Sequence, residues 1–395
     1  MTGGKTNGAA DASSTESTAG SEALGPELHP ISTDPLYMRD RVFVIAEAGV
    51  NHDGSAETAK LLIDAAASAG ADAVKFQTFV ADRLTTTTAP KAKYQTAFTA
   101  EMESQHEMLR KLELSCSAHR SLTEHCAERG ILFMSSPFDV DSIRFLSDDL
   151  NLPILKIPSG ELTNPLLLLA AARTGKPLIV STGMATLNEV EAGLGVLAFG
   201  YTQPQKEPSG SAFKEAFTSD AGQMALQKNI VLLHCTTQYP APVASVNLRA
   251  MATMSDAFGL RVGYSDHTNG TSVAIAAAAL GAVVIEKHFT LDRNMLGPDH
   301  AASLEPDELK QMVSAIRDVE LALGSPRKVP ASAELENLEI ARRSLVASQA
   351  IESGSKFGTE NLCLKRPGTG VSGMRYFEYL GKRANRNYEK DELID

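Results

Sequence analysis

Three histidines punctuate the stretch from Arg261 to His300. Arg261-Val-Gly-Tyr-Ser-Asp-His267 and Val283-Val-Ile-Glu-Lys-His288 are apolar runs that each end in an imidazole, and Gly297-Pro-Asp-His300 follows. If the two runs are neighbouring parallel strands of a barrel, their C-terminal ends open on one face and His267 meets His288 there. Two imidazoles with water suit a borderline divalent ion such as Mn, Co or Zn and leave positions for substrate oxygens. A lone histidine at a strand end usually packs or hydrogen-bonds, so the case rests on what the other runs end in.

They end in polar groups. Glu47 follows the first run, Lys75 and Gln77 lie on the second, and Ser136 follows the third. Lys156, Ser159 and Glu161 stand at the fourth, Ser181 at the fifth, and Thr237 and Tyr239 after the sixth. Ser265 and Glu286 belong to the last two, and Asp299 to the loop beyond. An unpaired buried lysine or carboxylate costs several kcal/mol, about the scale of a whole core side chain, so something must compensate them. Lys75 and Lys156, with hydroxyls from Ser136, Ser159 and Ser181, form a cradle for a small anion such as phosphate. Each lysine alone is as well explained by pairing with Glu47 or Glu161, and a lysine that forms a Schiff base is a third reading. Glu47 and Glu161 are in turn either acid/base groups or partners of the lysines.

The elements that must position these groups form a repeat. From Val42 a short β-rich run, a polar turn and an Ala/Leu-rich amphipathic stretch recur eight times. Strands are expected at 42–46, 73–77, 131–135, 154–157, 178–181, 230–234, 261–264 and 283–286, and helices include 57–69, 118–129, 188–198, 272–280 and 306–323. Eight βα units predict a (β/α)8 TIM barrel over 41–323. An open doubly wound sheet is the alternative, but no GxGxxG opens the first helix. Residues 82–114 enlarge the loop after the second strand, on the face where such barrels keep their chemistry, as a possible lid. Residues 201–228 are an insertion at the opposite face. Residues 324–340 read as a linker, and 341–395, with short alternating runs and Gly/Pro turns, as a small β-rich module.

Composition narrows the partners. The 395 residues carry a formal net charge of -11 and no sustained Lys/Arg run, which excludes nucleic acid and an anionic membrane surface. Four scattered cysteines without CxxC spacing point to neither a disulfide framework nor a thiolate zinc site, and a reducing cytoplasm is expected. Residues 1–40, rich in Ser, Thr, Ala and Gly, read as a disordered tail, and no run is long enough to span a bilayer.

At its strand ends the chain resembles the sialic acid synthase family, which makes nonulosonic acids from phosphoenolpyruvate and a 2-acetamido sugar. The matching pieces include Ile45-Ala-Glu-Ala-Gly-Val-Asn-His52, Val74-Lys-Phe-Gln-Thr78, Leu155-Lys-Ile-Pro-Ser-Gly-Glu161, Ser181-Thr-Gly-Met184, Gly263-Tyr-Ser-Asp-His267, Glu286-Lys-His-Phe-Thr290 and Gly297-Pro-Asp299. Lys365-Arg-Pro-Gly368 resembles the family's C-terminal antifreeze-like (SAF) module. The resemblance implies a transferase in which His267 and His288 hold a divalent metal, manganese first, with magnesium or cobalt as alternatives. It also implies that Lys75, Ser136, Lys156, Ser159, Ser181, Thr237 and Ser265 bind phosphoenolpyruvate. Thr237 departs from the asparagine of the best-known members. Glu47, Gln77, Tyr239 and Asp299 would face the sugar or water, and Arg366 would reach the acetamido group from the other subunit of a domain-swapped homodimer. The wording around Val74–Phe79, Ala89–Gln95 and Thr236–Tyr239 resembles the branch that contains N,N'-diacetyllegionaminate synthases. N-acetylneuraminate synthesis, a barrel that condenses a sugar phosphate, and an inactive scaffold are the competing expectations.

Overall fold

The computed structural model describes Met1 and residues 41–92, 95–97 and 103–395, and the expected tail over 1–40 otherwise lies outside them. Eight parallel strands, β1 (Phe43–Gly49), β2 (Ala73–Thr78), β3 (Leu132–Pro137), β4 (Leu155–Ile157), β5 (Leu178–Ser181), β6 (Ile230–Cys235), β7 (Arg261–Asp266) and β8 (Val284–His288), form one sheet in the order β3-β2-β1-β8-β7-β6-β5-β4. β3 and β4 come side by side and close the ring as a (β/α)8 barrel, although no ladder pairing joins them among the described residues.

Strand alternation sorts the side chains into two cores. Because successive residues point to opposite faces, Val44, Ala46, Val74, Phe76, Leu155, Val180, Leu232 and Ile285 pack outward against the helices. Phe43, Ile45, Ala73, Met134, Ile154, Ile179, Val231, Leu233 and Val284 plug the barrel interior. Continuing the same alternation toward the C-terminal ends brings Glu47, Lys75, Ser136, Lys156, Ser181, Ser265 and Glu286 inward, one layer above the plug. Glycine is required at 263, where an added Cβ would lie 2.4 Å from the Val284 carbonyl oxygen and 2.7 Å from Leu233.

The enlarged loop after β2 carries helices Ala81–Leu84 and Gln105–Leu112. Ser104 caps the second: its hydroxyl accepts from Glu107 N–H while the Glu107 carboxylate accepts from Ser104 N–H. Met108 and Leu112 are buried with Val50 and Phe79 in a small separate cluster. The 201–228 insertion forms helices Gly210–Thr218 and Asp220–Asn229, which pack on helix Leu187–Thr202 through the Phe199–Phe213 ring pair at 5.3 Å and lead into the N-terminal end of β6. Two further helices complete the repeat: Pro165–Arg173, whose apolar residues run too continuously to show a face in the sequence, and Ala250–Phe258, which buries Met251, Met254 and Phe258. Residues 324–395 form a second unit, with an antiparallel pair, β9 (Ser344–Ala347) and β10 (Leu362–Lys365), and a core of Leu345, Ile351, Phe357, Leu362, Tyr388 and Ile394. Among the described residues no helix is long and apolar enough to cross a membrane.

A buried ion pair on the outward face holds β7 and β8. Lys287 Nζ sits 2.9 Å from Asp266 Oδ2 with both side chains fully buried, and the second carboxylate oxygen accepts from Thr268 N–H at 2.9 Å and from the Tyr264 hydroxyl at 3.3 Å. Removing one partner strands the other charge. Lys287→Met should therefore lose about 3–5 kcal/mol in urea unfolding, while Lys287→Met combined with Asp266→Leu recovers most of it.

After β1, buried His52 accepts from Gly54 N–H at 3.0 Å, and burial pushes its pKa down to about 4 against the pull of Asp53. The unfolded chain binds this proton from about pH 6.5 and the fold does not until about pH 4, so stability falls as pH drops through that window. In His52→Asn, which keeps an acceptor, the loss of unfolding free energy from pH 6.5 to 4 should be shallower by up to about 3 kcal/mol.

Candidate active site

The polar layer above the plug is a connected charge cluster. Lys75 Nζ lies 2.6 Å from Glu47 Oε2 and 3.6 Å from Glu286 Oε2, and donates to Ser136 Oγ at 3.1 Å. Lys156 Nζ donates to Ser181 Oγ at 2.7 Å and lies 3.6 Å from Glu286 Oε1, which also accepts from the Ser265 hydroxyl at 2.9 Å. One carboxylate thus serves two ammonium groups, and all of these residues are buried. Burial alone would push the Glu286 pKa up, but Lys156 and Lys75 together outweigh it and hold the carboxyl well below its ordinary range. At Glu47 burial wins over Lys75, helped by the neighbouring charge of Glu286, and the pKa rises. Burial also opposes the charge on both lysines: Glu286 and Glu47 more than offset this at Lys75, whereas Lys156 stays below its usual value. With Glu47 protonated the cluster carries one surplus positive charge, which an incoming anion would neutralise.

The two histidines stand beside this cluster. Their ring centroids are 5.4 Å apart, and the Tyr239 ring lies 4.2 Å from His267 and 5.4 Å from His288. His267 Nδ1 faces the Thr236 carbonyl oxygen at 2.8 Å. A carbonyl only accepts, so the proton sits on Nδ1 and Nε2 presents a lone pair. His288 Nδ1 is buried, has no hydrogen-bond partner among the described residues, and lies 4.0 Å from Asp299 Oδ2. Burial lowers the pKa of both rings, keeping them neutral, as metal ligation requires. These residues fit a divalent ion. Among the described residues no group of three or more His, Cys, Asp or Glu could hold a metal, so water and substrate oxygens would have to complete the coordination.

A cavity of about 240 Å³ opens over these groups, lined also by Gln77, Ser159, Thr237 and Asp299. Burial raises the Asp299 pKa to about 6, with His300 opposing. Gly183 makes room: an added Cβ would come within 2.3 Å of Thr237 Oγ1 and 2.8 Å of Ser159 Oγ. A larger, mostly apolar groove of about 710 Å³ runs outside the barrel along helix Leu187–Thr202, away from the convergent polar groups.

One of the expected barrel residues is not part of this assembly. Glu161 sits in the turn Ser159–Glu161, accepts from Asn164 Nδ2 at 2.7 Å and does not line the cavity. Arg366 belongs to the second unit, where it is exposed and donates to the Ala341 carbonyl at 3.0 Å. Glu286, read from sequence only as one polar strand-end residue, is the hub of the cluster. Val50, Met108, Leu109, Leu112 and Phe138 form one apolar wall of the cavity, and no motif marks the three that come from helix Gln105–Leu112. The i, i+4 spacing of Met108 and Leu112 was the available signal, and it announces only a buried helix face.

Two family models match the chain, that of the NeuB family over residues 62–328 and that of the SAF domain over 342–395. The chain belongs to the NeuB family. Within it, the chain is 49% identical over 354 residues to the N,N'-diacetyllegionaminic acid synthase of Campylobacter jejuni, covering 90% of this chain and 99% of that protein. It is 45% identical to the protein of the same name in Legionella pneumophila, covering 87% and 91% respectively. A crystal structure of the N-acetylneuraminic acid synthetase of Leptospira borgpetersenii superposes with a TM-score of 0.60 at 32% identity, covering 76% of this chain and 91% of that one.

Glu286→Gln removes the charge that both lysines share. The variant should lose about 3–5 kcal/mol in urea unfolding, and inorganic phosphate should raise its melting temperature by more than it raises the parent's. An equal phosphate effect on both proteins would contradict the surplus-charge account.

Proposed function

We propose that this NeuB-family chain condenses phosphoenolpyruvate with 2,4-diacetamido-2,4,6-trideoxymannose and water, giving N,N'-diacetyllegionaminic acid and phosphate as a transferase. The observation that carries this is two lysines sharing one carboxylate beside two neutral imidazoles, in a chain that follows the Campylobacter synthase along nearly its whole length. N-acetylmannosamine as the sugar is the less favoured alternative, because both of these relatives carry the legionaminic name.

In this reading Lys75 and Lys156, with Ser136, Ser159, Ser181, Thr237 and Ser265, grip the phosphate and carboxylate of phosphoenolpyruvate through charge-assisted hydrogen bonds. His267 and His288 would hold the divalent ion, manganese first and magnesium or cobalt next. When bound, such an ion supplies Lewis acidity toward the aldehyde oxygen of the open-chain sugar. Gln77, Tyr239 and Asp299 orient that sugar over the enol carbon, which attacks the aldehyde carbon and forms the new carbon–carbon bond. Glu47, whose raised pKa suits proton transfer near neutrality, gives its proton to the aldehyde oxygen as that bond forms and, now a carboxylate, takes one from the water that adds at the former enol carbon bearing the phosphate. The tetrahedral carbon then expels phosphate while the two ammonium groups stabilise the departing charge. Arg366 of a partner subunit in a swapped dimer would complete the acetamido contact, and Glu161, bonded to Asn164, is left a supporting role.

A Schiff-base route would fall to Lys156, since Glu286 and then Glu47 raise the pKa of Lys75 above its usual value. Measured by phosphate release, activity should vanish on chelation and return with Mn. Borohydride added during turnover should leave the protein's mass unchanged, and a reduced lysine adduct would rule out the condensation chemistry described above.

A further inference from the structure

The cavity is chemically two-sided. Its floor and one flank carry the lysines, carboxylates, hydroxyls and imidazoles, whereas Val50, Met108, Leu109, Leu112 and Phe138 come together from the mouth loops of β1, β2 and β3. These five form one hydrophobic cluster with Phe79 and Leu84, apart from both barrel cores. Among the described residues the only cationic side chains lining the cavity are Lys75 and Lys156, and both are paired with carboxylates in the floor. The charged residues of helix Gln105–Leu112 turn elsewhere: Arg110 meets Asp82, and Lys111 meets Glu103.

A wall of this kind sets a requirement on what lies against it. Gln95 lines the cavity as well, its Oε1 accepting from Ala92 N–H at 2.9 Å, but against the five carbon side chains themselves a hydroxymethyl group would lose its hydrogen bonds to water without replacement, and a phosphate would in addition lack a counter-charge. A methyl group loses nothing and gains contact. In the sugar of the proposed reaction each acetamido group has an N–H and a carbonyl that need polar partners, and each hydroxyl needs one as well. Each acetamido methyl is bonded directly to a carbonyl with that need, so C6 is the one methyl that can lie on such a wall without carrying a polar group of its own. Resting on the condensation reading, we infer that Val50, Met108, Leu109, Leu112 and Phe138 form the subsite for C6 of the acceptor sugar and select a 6-deoxy sugar over its 6-hydroxy and 6-phospho counterparts. The capped helix Gln105–Leu112 holds the wall in place, since Met108 and Leu112 are buried in the cluster while half-buried Leu109 packs at its edge.

The test compares 2,4-diacetamido-2,4,6-trideoxymannose with 2,4-diacetamido-2,4-dideoxymannose, which differs only by a hydroxyl on C6, using phosphate release with Mn and phosphoenolpyruvate. The parent protein should favour the 6-deoxy sugar by about 10–200-fold in kcat/KM, the range for one apolar contact in a pocket. Leu109→Gln and Val50→Thr, the second adding a hydroxyl at nearly unchanged shape, should each cut that preference about tenfold. The change should fall on the sugar's KM, with the KM for phosphoenolpyruvate unmoved. Equal use of the two sugars by the parent, or an unchanged preference in both variants when their melting temperatures match the parent's, would overturn the subsite assignment alone. No phosphate release with either sugar would instead overturn the condensation reading on which it rests.

Discussion

The site depends on keeping two ammonium groups and two carboxylates out of water within a few ångströms of one another. Glu286 makes this possible. Set on β8 between Lys75 and Lys156, it accepts charge from both and a hydrogen bond from Ser265, and the sum of these outweighs a desolvation penalty that would otherwise neutralise it. Glu47 is left as the member of the cluster whose ionisation is least supported, and so as the one whose proton is most easily exchanged. Structural charge pairing and chemical reactivity are therefore properties of the same four side chains. The loss of one changes the protonation of the others.

That cluster sits where it does because a barrel interior is a filled space. The apolar plug formed by Phe43, Ile45, Met134, Ile179, Leu233 and Val284 closes the axis below, so polar groups in the next inward layer can be approached only from the C-terminal mouth. The geometry makes the cavity a cup with a charged base. Its sides are contributed by loops, and they differ in character: Tyr239 and Asp299 on the flank of β6 and β8, aliphatic and aromatic carbon on that of β1 to β3.

Much of this is legible in the chain because strand alternation is a local signal. Runs such as Ala73–Gln77 and Leu178–Ser181 declare both their strand character and the side chain that must point inward at the top. The expected strands nonetheless end early at β1, β7 and β8. Glu47, Ser265, Asp266 and His288 look like turn residues in a linear reading, whereas in the barrel they continue the ladder, with polar partners on the neighbouring strands. Glu161 shows the converse. It stands directly after Lys156 and its strand, but Pro158 starts a tight turn there that carries the carboxyl to Asn164. The central place of Glu286 and the apolar wall were hidden for a shared reason. Each is defined by partners brought from distant parts of the chain, and no spacing along the sequence encodes that convergence.

The buried pair Lys287–Asp266 has a consequence for how the last two strands are aligned. In β7 and β8 successive positions alternate between groups that suit only the axis, Ser265, His267, Glu286 and His288, and groups that suit only the helix side, Asp266 and Lys287. Sliding either strand by one residue would drive an imidazole or a carboxylate among the aliphatic side chains of the outer layer and turn an ammonium group toward the plug. Hydrophobic patterning alone would penalise such a slip only weakly here, since these segments carry few apolar residues near their ends. Two opposed sets of charges act instead as a key cut on both edges, so that the arrangement needed for chemistry is also the one threading the strands will accept.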